Sequence, residues 1–202
     1  MWYKIKRWPI GGCRKMETIK ADHQYPAQYE EWIILQDGST VFLRPIKPAD
    51  GPLILDIFQK LSPETIFFRF LTHLDRLKPE LLKHLVEIDY ETHFALAAVI
   101  QEDGIESIIG TCRYIIKSNT DHAELTITLR NDWQRRGLGK IMAQKVVTIA
   151  RSKGISSIEI LFDSRNEGMK RLFASLGYPV KYEPSLIDIA DRMEIYLKEV
   201  AL

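Results

Sequence analysis

Short runs in which apolar residues cluster or alternate with polar ones predict a set of β-strands. The runs on either side of Asp37-Gly38 are typical of a β-hairpin, because Asp-Gly favours the tight turn between two paired strands. A polar segment at 101–106, which contains Asp103-Gly104, predicts a second turn. The predicted strands are 31–35, 40–46, 93–100, 107–117, 122–129, 156–162 and 192–200.

Apolar positions at helical spacing, together with start and stop residues, predict five helices. Ser62 is a favourable N-cap and Pro63 a favourable first residue for the second helix. Gly154 and Gly177 mark the ends of the last two. The predicted helices are 48–61, 63–70, 78–87, 140–153 and 167–176. This order of a hairpin, helices, three strands and then alternating helices and strands predicts a mixed α/β sheet around one core.

The segment Gln134-Arg135-Arg136-Gly137-Leu138-Gly139 connects a predicted strand to the predicted helix 140–153. A glycine turn in that position presents backbone N–H groups to a phosphate. Arg135, Arg136 and Lys140 crowd the positive end of the helix dipole, which is unfavourable unless an anion neutralises them. The alternative is an ordinary glycine helix start with two solvated arginines. The segment is neither a P-loop nor a dinucleotide fingerprint, since the latter needs a third glycine where this chain has Met142.

The composition is that of one large globular domain. The chain has 202 residues, of which 46% are hydrophobic and 27% charged, and its net charge of +1 does not indicate nucleic acid or an acidic membrane. Cys13 and Cys112 give neither a disulfide framework nor a metal-ligand spacing, and Cys112 is predicted to be a small core residue. No apolar run approaches the ~18 residues of a membrane helix. We therefore expect a cytoplasmic protein without a signal peptide, a membrane span or a metal.

Residues 1–30 are predicted to be a basic N-terminal extension to a domain that spans 31–202. Residues 1–20 carry six Lys or Arg against the single acid Glu17. The aromatic residues Trp2, Tyr3 and Trp8 indicate an arm that packs loosely on the domain. The alternative is an arm that binds an anionic partner, including a nucleic acid on whose bases the aromatic rings would stack. The nearly neutral chain makes nucleic acid the less favoured partner.

The glycine-rich segment resembles the pyrophosphate-binding signature of the GNAT superfamily of N-acetyltransferases, Gln/Arg-x-x-Gly-x-Gly/Ala. Gln134, Gly137 and Gly139 occupy the three defined positions. The strand predicted before the signature and the helix predicted after it are the context that the signature requires. Acyl transfer to an amine, which this resemblance implies, needs an unprotonated nitrogen, whereas a lysine amine has a pKa of ~10.4.

Glu124 is the candidate for the group that removes that proton. In strand 122–129 it shares the polar face with His122, Thr126 and Thr128, while the other face is apolar and should carry the following helix. A carboxylate near the acyl site acts as a general base, more effectively if burial raises its pKa. The alternative is a solvated strand glutamate. His122 either reaches a substrate or a proton-relay water, or is a solvated strand histidine.

Further motifs are similar to the GNAT domain of Pat-type bacterial protein lysine acetyltransferases, over about residues 25 to 178. Ala123-Glu124 matches that family's Ala-Glu pair, whose glutamate is the general base. The other matching segments are Tyr25-Pro26-x-x-Tyr29-Glu30, Leu43-Arg44-Pro45-Ile46-Lys47-Pro48-Ala49-Asp50, Leu61-Ser62-Pro63-Glu64-Thr65, Arg69-Phe70, Asp89-Tyr90 and Ala95-Leu96-Ala97-Ala98-Val99.

The resemblance implies a GNAT fold, in which a mixed and mostly antiparallel sheet is flanked by helices and splayed around acetyl-CoA. It implies an acetyl-CoA-dependent transfer of acetyl to a primary amine, most simply a protein lysine, by a monomer or homodimer. The alternatives are a small-molecule amine as acceptor, or a non-catalytic acyl-CoA-binding module. The implied acetyl-CoA contacts are Ile127, Thr128, Leu129, Gln134, Arg135, Arg136, Gly137, Leu138, Gly139, Lys140, Asn166 and Phe173.

Two departures from the family pattern change what is expected. Phe173 occupies the position where many GNAT enzymes have a tyrosine that protonates the leaving thiolate, so the thiolate is expected either to leave unassisted or to be protonated by water. Asn166, at the family's CoA-arm asparagine, is equally suited to be a helix N-cap. The second departure is that the regulatory regions of longer family members do not fit in residues 1–30, so the nucleotide-gated regulation of those members is not carried over to this chain.

Overall fold

The structure is a computed structural model that describes residues 24–185 and 190–198. Within them the chain forms eight strands and five α-helices, with short 3-10 turns at Ala27–Tyr29, Pro48–Asp50 and Asn131–Trp133. The strands are β1 (Glu31–Ile34), β2 (Thr40–Pro45), β3 (His93–Glu102), β4 (Ile105–Ile116), β5 (His122–Leu129), β6 (Ser157–Asp163), β7 (Val180–Glu183) and β8 (Ala190–Tyr196). The helices are α1 (Gly51–Lys60), α2 (Pro63–Phe70), α3 (Pro79–Val86), α4 (Leu138–Ser152) and α5 (Glu167–Ala174).

All eight strands belong to one sheet, in the order β1-β2-β3-β4-β5-β6-β8-β7. Neighbouring strands are antiparallel everywhere except between β5 and β6, which are parallel and are connected by α4. A parallel connection needs a crossover element, and α4 provides it. The prediction of a mixed, mostly antiparallel sheet flanked by helices is confirmed.

Strands β5 and β6 pair over only part of their lengths. Their register ends at Glu124 opposite Glu159, after three residue pairs. In contrast, β5 stays paired with β4 on its other side from Ala123 to Leu129. The sheet therefore opens beyond Glu124, where the edge of β5 that faces β6 has no strand partner in residues 24–185 and 190–198.

The two faces of the sheet are covered by different helices. Helices α4 and α5 cover the face on which Ala123 and Leu125 are buried, and we call it the apolar face. Helices α1, α2 and α3 cover the opposite face, where their apolar side chains pack on Ala95, Ala97 and Val99 of β3. We call this the charged face, because Glu124 and the buried Arg113 also lie on it.

The predicted helix start at Ser62 is confirmed. Its hydroxyl accepts a hydrogen bond from the backbone N–H of Thr65, 3.2 Å away, as an N-cap does. Cys112 is fully buried, as predicted. On α4, Met142, Val146 and Ala150 are also fully buried, which confirms the predicted apolar face of that helix.

Two predictions about strands were wrong in detail. The predicted turn at 101–106 is only Asp103-Gly104, because both residues adopt left-handed φ angles of 53° and 79° and close a tight hairpin between β3 and β4. The sequence also predicted a single strand after α5, whereas the chain forms β7 and then β8. Strand β7 is short and exposed at the edge of the sheet, so it lacks the apolar alternation that would reveal it.

Residues 24–30, the end of the predicted extension, lie against the domain. The Tyr25 ring contacts Tyr90 edge-on and the Tyr29 ring contacts Phe94, with centroid distances of 6.0 and 5.4 Å. The basic and aromatic positions of residues 1–20 lie outside the described residues, as do residues 199–200 of the last predicted strand. The division of the chain into 1–30 and 31–202 stays a prediction.

Candidate active site

The loop before α4 has the backbone of an anion cradle. Arg135 and Gly137 adopt left-handed φ angles of 60° and 85°, and a side chain at Gly137 would meet nothing within 4 Å. Within the described residues, the amides from 135 to 139 have no protein acceptor at hydrogen-bond distance. The amides of Lys140 and Ile141 bond the carbonyl of Gly137, which starts the helix. Free amides at a helix start fit a phosphate.

This loop is fixed to the end of β5. The side-chain amide of Gln134 donates to the carbonyl of Leu129 at 3.1 Å. A Cβ at Gly139 would lie 3.3 Å from Leu129 Cδ1 and 3.8 Å from Ile127 Cδ1, so glycine permits the close approach of helix and strand. The cradle therefore packs directly against the unpaired end of β5.

The cations at this helix start are not equivalent, which corrects the expectation that all three await an anion. The guanidinium of Arg136 lies 4.6 Å from the centre of the Trp133 ring and 3.3 Å from Asp37. Arg135 and Lys140 are exposed, and the first turn of α4 contains no acidic residue. The positive end of the dipole is thus not neutralised by an acidic residue of the first turn, and two cations lie beside it.

Glu124 lies at the last paired position before β5 and β6 part. Its side chain is partly buried, and burial raises its pKa above the ordinary range, although Arg69 lowers it and Glu159 raises it further. Its neighbour Glu159 is held by Lys117 and by Arg192, whose Nε lies 2.7 Å from the carboxylate. Because these cations bind Glu159, Glu124 is the carboxylate of this pair that is not committed to an ion pair.

The predicted division of β5 into two faces is confirmed. Leu125 is fully buried under α4, while Glu124 lies on the opposite face. His122 is half-exposed, and its Nδ1 contacts the hydroxyl of Ser157, which in turn donates to Glu194 at 2.6 Å. His122 is therefore part of a hydrogen-bonded chain of side chains.

Asn166 lies at the start of α5, and Phe173 lies within that helix. The Asn166 Oδ1 accepts from the backbone N–H of Met169 at 3.2 Å, which confirms the N-cap interpretation. Phe173 is fully buried in the core under the apolar face and carries no proton donor. The acetyl-CoA contacts assigned to these two residues remain predictions.

The sequence analysis missed the ion pairs and buried arginines of the charged face. Arg44 and Asp50, both in the Leu43–Asp50 motif, form a buried bidentate pair at 2.7 and 2.9 Å. Asp50 also accepts a hydrogen bond from the backbone N–H of Lys47, which stabilises the turn that leads into α1. Arg113 is buried in β4 among mostly apolar neighbours. An arginine in the middle of an apolar strand was the sequence feature that could have indicated its burial.

The described residues contain neither a cluster suited to a metal ion nor a helix suited to a membrane. No group of three or more His, Cys, Asp or Glu side chains there is placed to hold a metal ion. No helix of that part of the chain is both long and apolar enough to cross a membrane.

Comparison with known proteins gives consistent similarities. The family model described as "Acetyltransferase (GNAT) domain" matches residues 40–179. Acetyltransferase PA5475 of Pseudomonas aeruginosa is 30% identical over 156 residues, which cover 77% of this chain and 84% of that protein. Acetyltransferase Pat of Mycolicibacterium smegmatis is 27% identical over 144 residues, covering 71% of this chain but only 42% of Pat.

A solved structure shows the same likeness. The crystal structure of the GNAT domain of S. lividans PAT is 25% identical in sequence and superposes with a TM-score of 0.77. The match covers 86% of this chain and 99% of that domain. The opening between β5 and β6 and the cradle before α4 thus lie within a fold shared with this domain.

Proposed function

The chain belongs to the GNAT family of acetyl-CoA-dependent acetyltransferases, and we propose that it acetylates lysine side chains of proteins with Glu124 as general base. The observation that carries this proposal is the position of Glu124. Its partly buried carboxylate lies where the paired part of β5 ends, and the unpaired edge leads from there to the cradle before α4.

The residues of the cradle fit the pyrophosphate of acetyl-CoA. The free amides from 135 to 139 would bind its oxygens, with Arg135 and Lys140 adding positive charge. The unpaired backbone at Ile127, Thr128 and Leu129 would bond the amide groups of the pantetheine arm as a neighbouring strand does. A backbone N–H of this edge would also polarise the thioester carbonyl, where negative charge develops during acyl transfer.

Glu124 would accept the proton that the attacking ammonium group must lose. Its pKa is raised by burial, which brings it closer to that of the amine and makes proton transfer more favourable. The amine nitrogen then bonds the carbonyl carbon, the carbon–sulfur bond breaks, and the electron pair leaves with sulfur, while the second proton that the nitrogen loses as the amide forms passes to water. Phe173 offers no proton, so water protonates the thiolate, whose ordinary pKa near ~8.5 makes it a tolerable leaving group.

The choice of a protein lysine as acceptor rests on relatedness. The chain is similar to two proteins named Pat, and its motifs resemble those of Pat-type protein lysine acetyltransferases. A lysine side chain and a polyamine both present a primary ammonium group, so the proton transfer proposed for Glu124 is the same for either acceptor.

The first test is calorimetric titration with acetyl-CoA. We expect micromolar binding by the native chain and its loss in Gly137→Glu, which places a side chain and a negative charge in the cradle. Gly154→Glu is a matched control, because Gly154 has nearly the same φ of 84° and equal open space at the other end of α4. Equal binding by both variants would contradict the assignment of the cradle.

Transfer assays then define the acceptor. Lysine-containing peptides and proteins are expected to be acetylated faster than polyamines at equal amine concentration. Acetyl-CoA binding without transfer to any amine would identify a binding module rather than an enzyme. Faster transfer to polyamines would replace the protein acceptor with a small molecule.

A further inference from the structure

A small cavity lies between the charged face of β4 and β5 and the three helices that cover it. Its volume is about 30 Å³, and apolar side chains from α1 and α3 form much of its wall. Four polar residues complete the lining, and they are Arg69, Thr111, Arg113 and Thr128. Thr111 and Thr128 are directly opposite each other in the β4–β5 register, so both hydroxyls enter from the sheet.

Two buried polar atoms at this cavity lack a protein partner among the described residues. Arg113 is only 3% exposed, and its Nη1 donates to the Leu85 carbonyl at 3.1 Å and lies 3.2 Å from His93 Nε2. Its Nε has no hydrogen-bond partner, and neither has the buried Oγ1 of Thr128. Leaving buried donors unpaired is costly, so such atoms in one cavity indicate an occupant that accepts hydrogen bonds.

The charge around Arg113 points to an anionic occupant. Burial and then the neighbouring Arg69 lower the pKa of Arg113 to about 9, so it stays protonated at neutral pH. His93 is neutral, since burial and Arg113 lower its pKa to about 3. No carboxylate of the described residues is among the groups that act on Arg113. Charged side chains are almost never fully buried without a counter-charge.

We propose that this cavity binds a carboxylate, or another anion of that size, through Arg113 and Thr128. The volume exceeds the ~10–15 Å³ that one water needs and limits the occupant to a group of a few atoms. A water molecule would satisfy the unpaired atoms but would leave the buried positive charge without a partner.

The carboxylate has two possible sources. Thr128 lies between Ile127 and Leu129, on the strand edge proposed above to bind the thioester, and this part of the argument rests on the proposed function. An acyl group with a terminal carboxylate would then extend from the thioester into the cavity. The other source is a free anion such as formate, which needs no acyl-CoA.

Thermal unfolding tests for the anion without using the cofactor. The melting temperature is measured in sodium formate and in sodium gluconate at equal ionic strength, because gluconate is too large for the cavity. We expect formate to raise the melting temperature by several degrees relative to gluconate. The increase should level off at high formate concentration, as it does for a ligand that binds the native state. Arg113→Met should abolish the difference between the salts, and Thr128→Val should reduce it.

Thr148→Val is the control, since it removes an exposed hydroxyl of α4 remote from the cavity. It should keep the full difference between the two salts. If Arg113→Met does not fold, the test uses only the difference between the two salts in Thr128→Val and in the native chain. Equal melting temperatures of the native chain in both salts, or an undiminished formate effect in Thr128→Val, overturns the binding of a free anion.

Calorimetry in gluconate then separates the two sources. If the carboxylate belongs to the acyl group, malonyl-CoA should bind about tenfold more tightly than acetyl-CoA, and Thr128→Val should reduce that ratio. Equal affinities together with the formate effect assign the site to a free anion. Equal affinities without a formate effect leave only water and overturn the proposal. The melting temperature in formate does not involve acetyl-CoA, so it tests the anion site even if the chain does not bind acetyl-CoA.

Discussion

The two faces of the sheet are covered by helices in the same way but contain different chemistry. Under α4 and α5, the apolar face buries Leu125, Met142 and Val146, and its buried carboxylate, Asp191 of β8, accepts hydrogen bonds from the Tyr182 hydroxyl and the Ser185 backbone N–H. Under α1, α2 and α3, the charged face buries Arg113 and the ion pair of Arg44 with Asp50. Burial of charge is costly unless it is paired, so the faces differ most at Arg113, whose Nε has no hydrogen-bond partner among the described residues.

Adjacent residues of β5 make the contrast sharpest. Leu125 is buried on the apolar face, and Glu124, one residue earlier, is partly buried on the charged face with a raised pKa. A raised carboxyl pKa means that folding disfavours the charged form. The ionised Glu124 therefore costs stability, which agrees with the role of general base proposed for it.

The largest effect is expected from Glu124→Gln. If Glu124 is the general base, the rate of acetyl transfer falls by about 10²–10⁴, because the amide cannot accept the proton. The melting temperature should stay the same or rise, since the substitution removes a partly desolvated charge. Steady-state kinetics and thermal unfolding measure the two quantities, with the exposed Glu87→Gln as control. A loss of less than a few fold would remove Glu124 from the chemistry.

Asp50→Asn tests the paired charges of the same face. Removing one partner leaves the buried Arg44 uncompensated, and the free energy of unfolding should fall by about 3–5 kcal/mol. Denaturant unfolding measures it. Asp56→Asn on α1 is the matched control, because its pair with Lys60 is exposed and should contribute less than ~1 kcal/mol. Similar losses in both variants would mean that the burial of the Arg44 pair has no energetic consequence.

Leu125→Ala tests the apolar face. It removes a fully buried side chain and should lower the free energy of unfolding by about 2–5 kcal/mol, while the folded fraction keeps its transfer rate. Leu55→Ala, at a partly exposed position of α1, should cost much less. A large loss of transfer rate in the folded Leu125 variant would show that the two faces are not separable.

The smallest effect is the dependence of stability on pH that Glu124 contributes. Because its folded pKa is raised, the folded chain binds more protons than the unfolded chain between the ordinary glutamate pKa and the raised one. Stability from this group is therefore present at low pH and is lost as the pH rises through that window.

Glu124→Gln provides the comparison for that effect. The free energy of unfolding of the variant should increase relative to the native chain as the pH rises from about 4 toward neutrality. Unfolding titrations at several pH values measure the difference. If the difference in free energy of unfolding between the variant and the native chain is constant across this pH range, the pKa of Glu124 is the same in the folded and unfolded states.

Local patterns predicted most of the strands and helices, because their apolar periodicity and caps are properties of short segments. Ser62 and Gly137 are examples in which one residue type fits one backbone geometry. Strand β7 was missed, since an exposed edge strand carries no apolar alternation and depends on β8 for its pairing.

The site was predictable only in part. The cradle follows from a local glycine motif, but its tie through Gln134 to Leu129 depends on how helix and strand pack. The burial of Arg113 and its contact with His93 join residues 20 positions apart, which no local pattern specifies. The parting of β5 from β6 was expected only from family resemblance, because it depends on pairing between distant segments.

The parting of β5 and β6 also bears on how the molecule avoids aggregation. Unpaired strand edges at the rim of a sheet recruit other chains. Here the rim strands β1 and β7 have only four residues each, and the unpaired edge of β5 lies inside the sheet. The backbone groups that would be a hazard at the rim are thus placed where a slender ligand reaches them and another sheet does not.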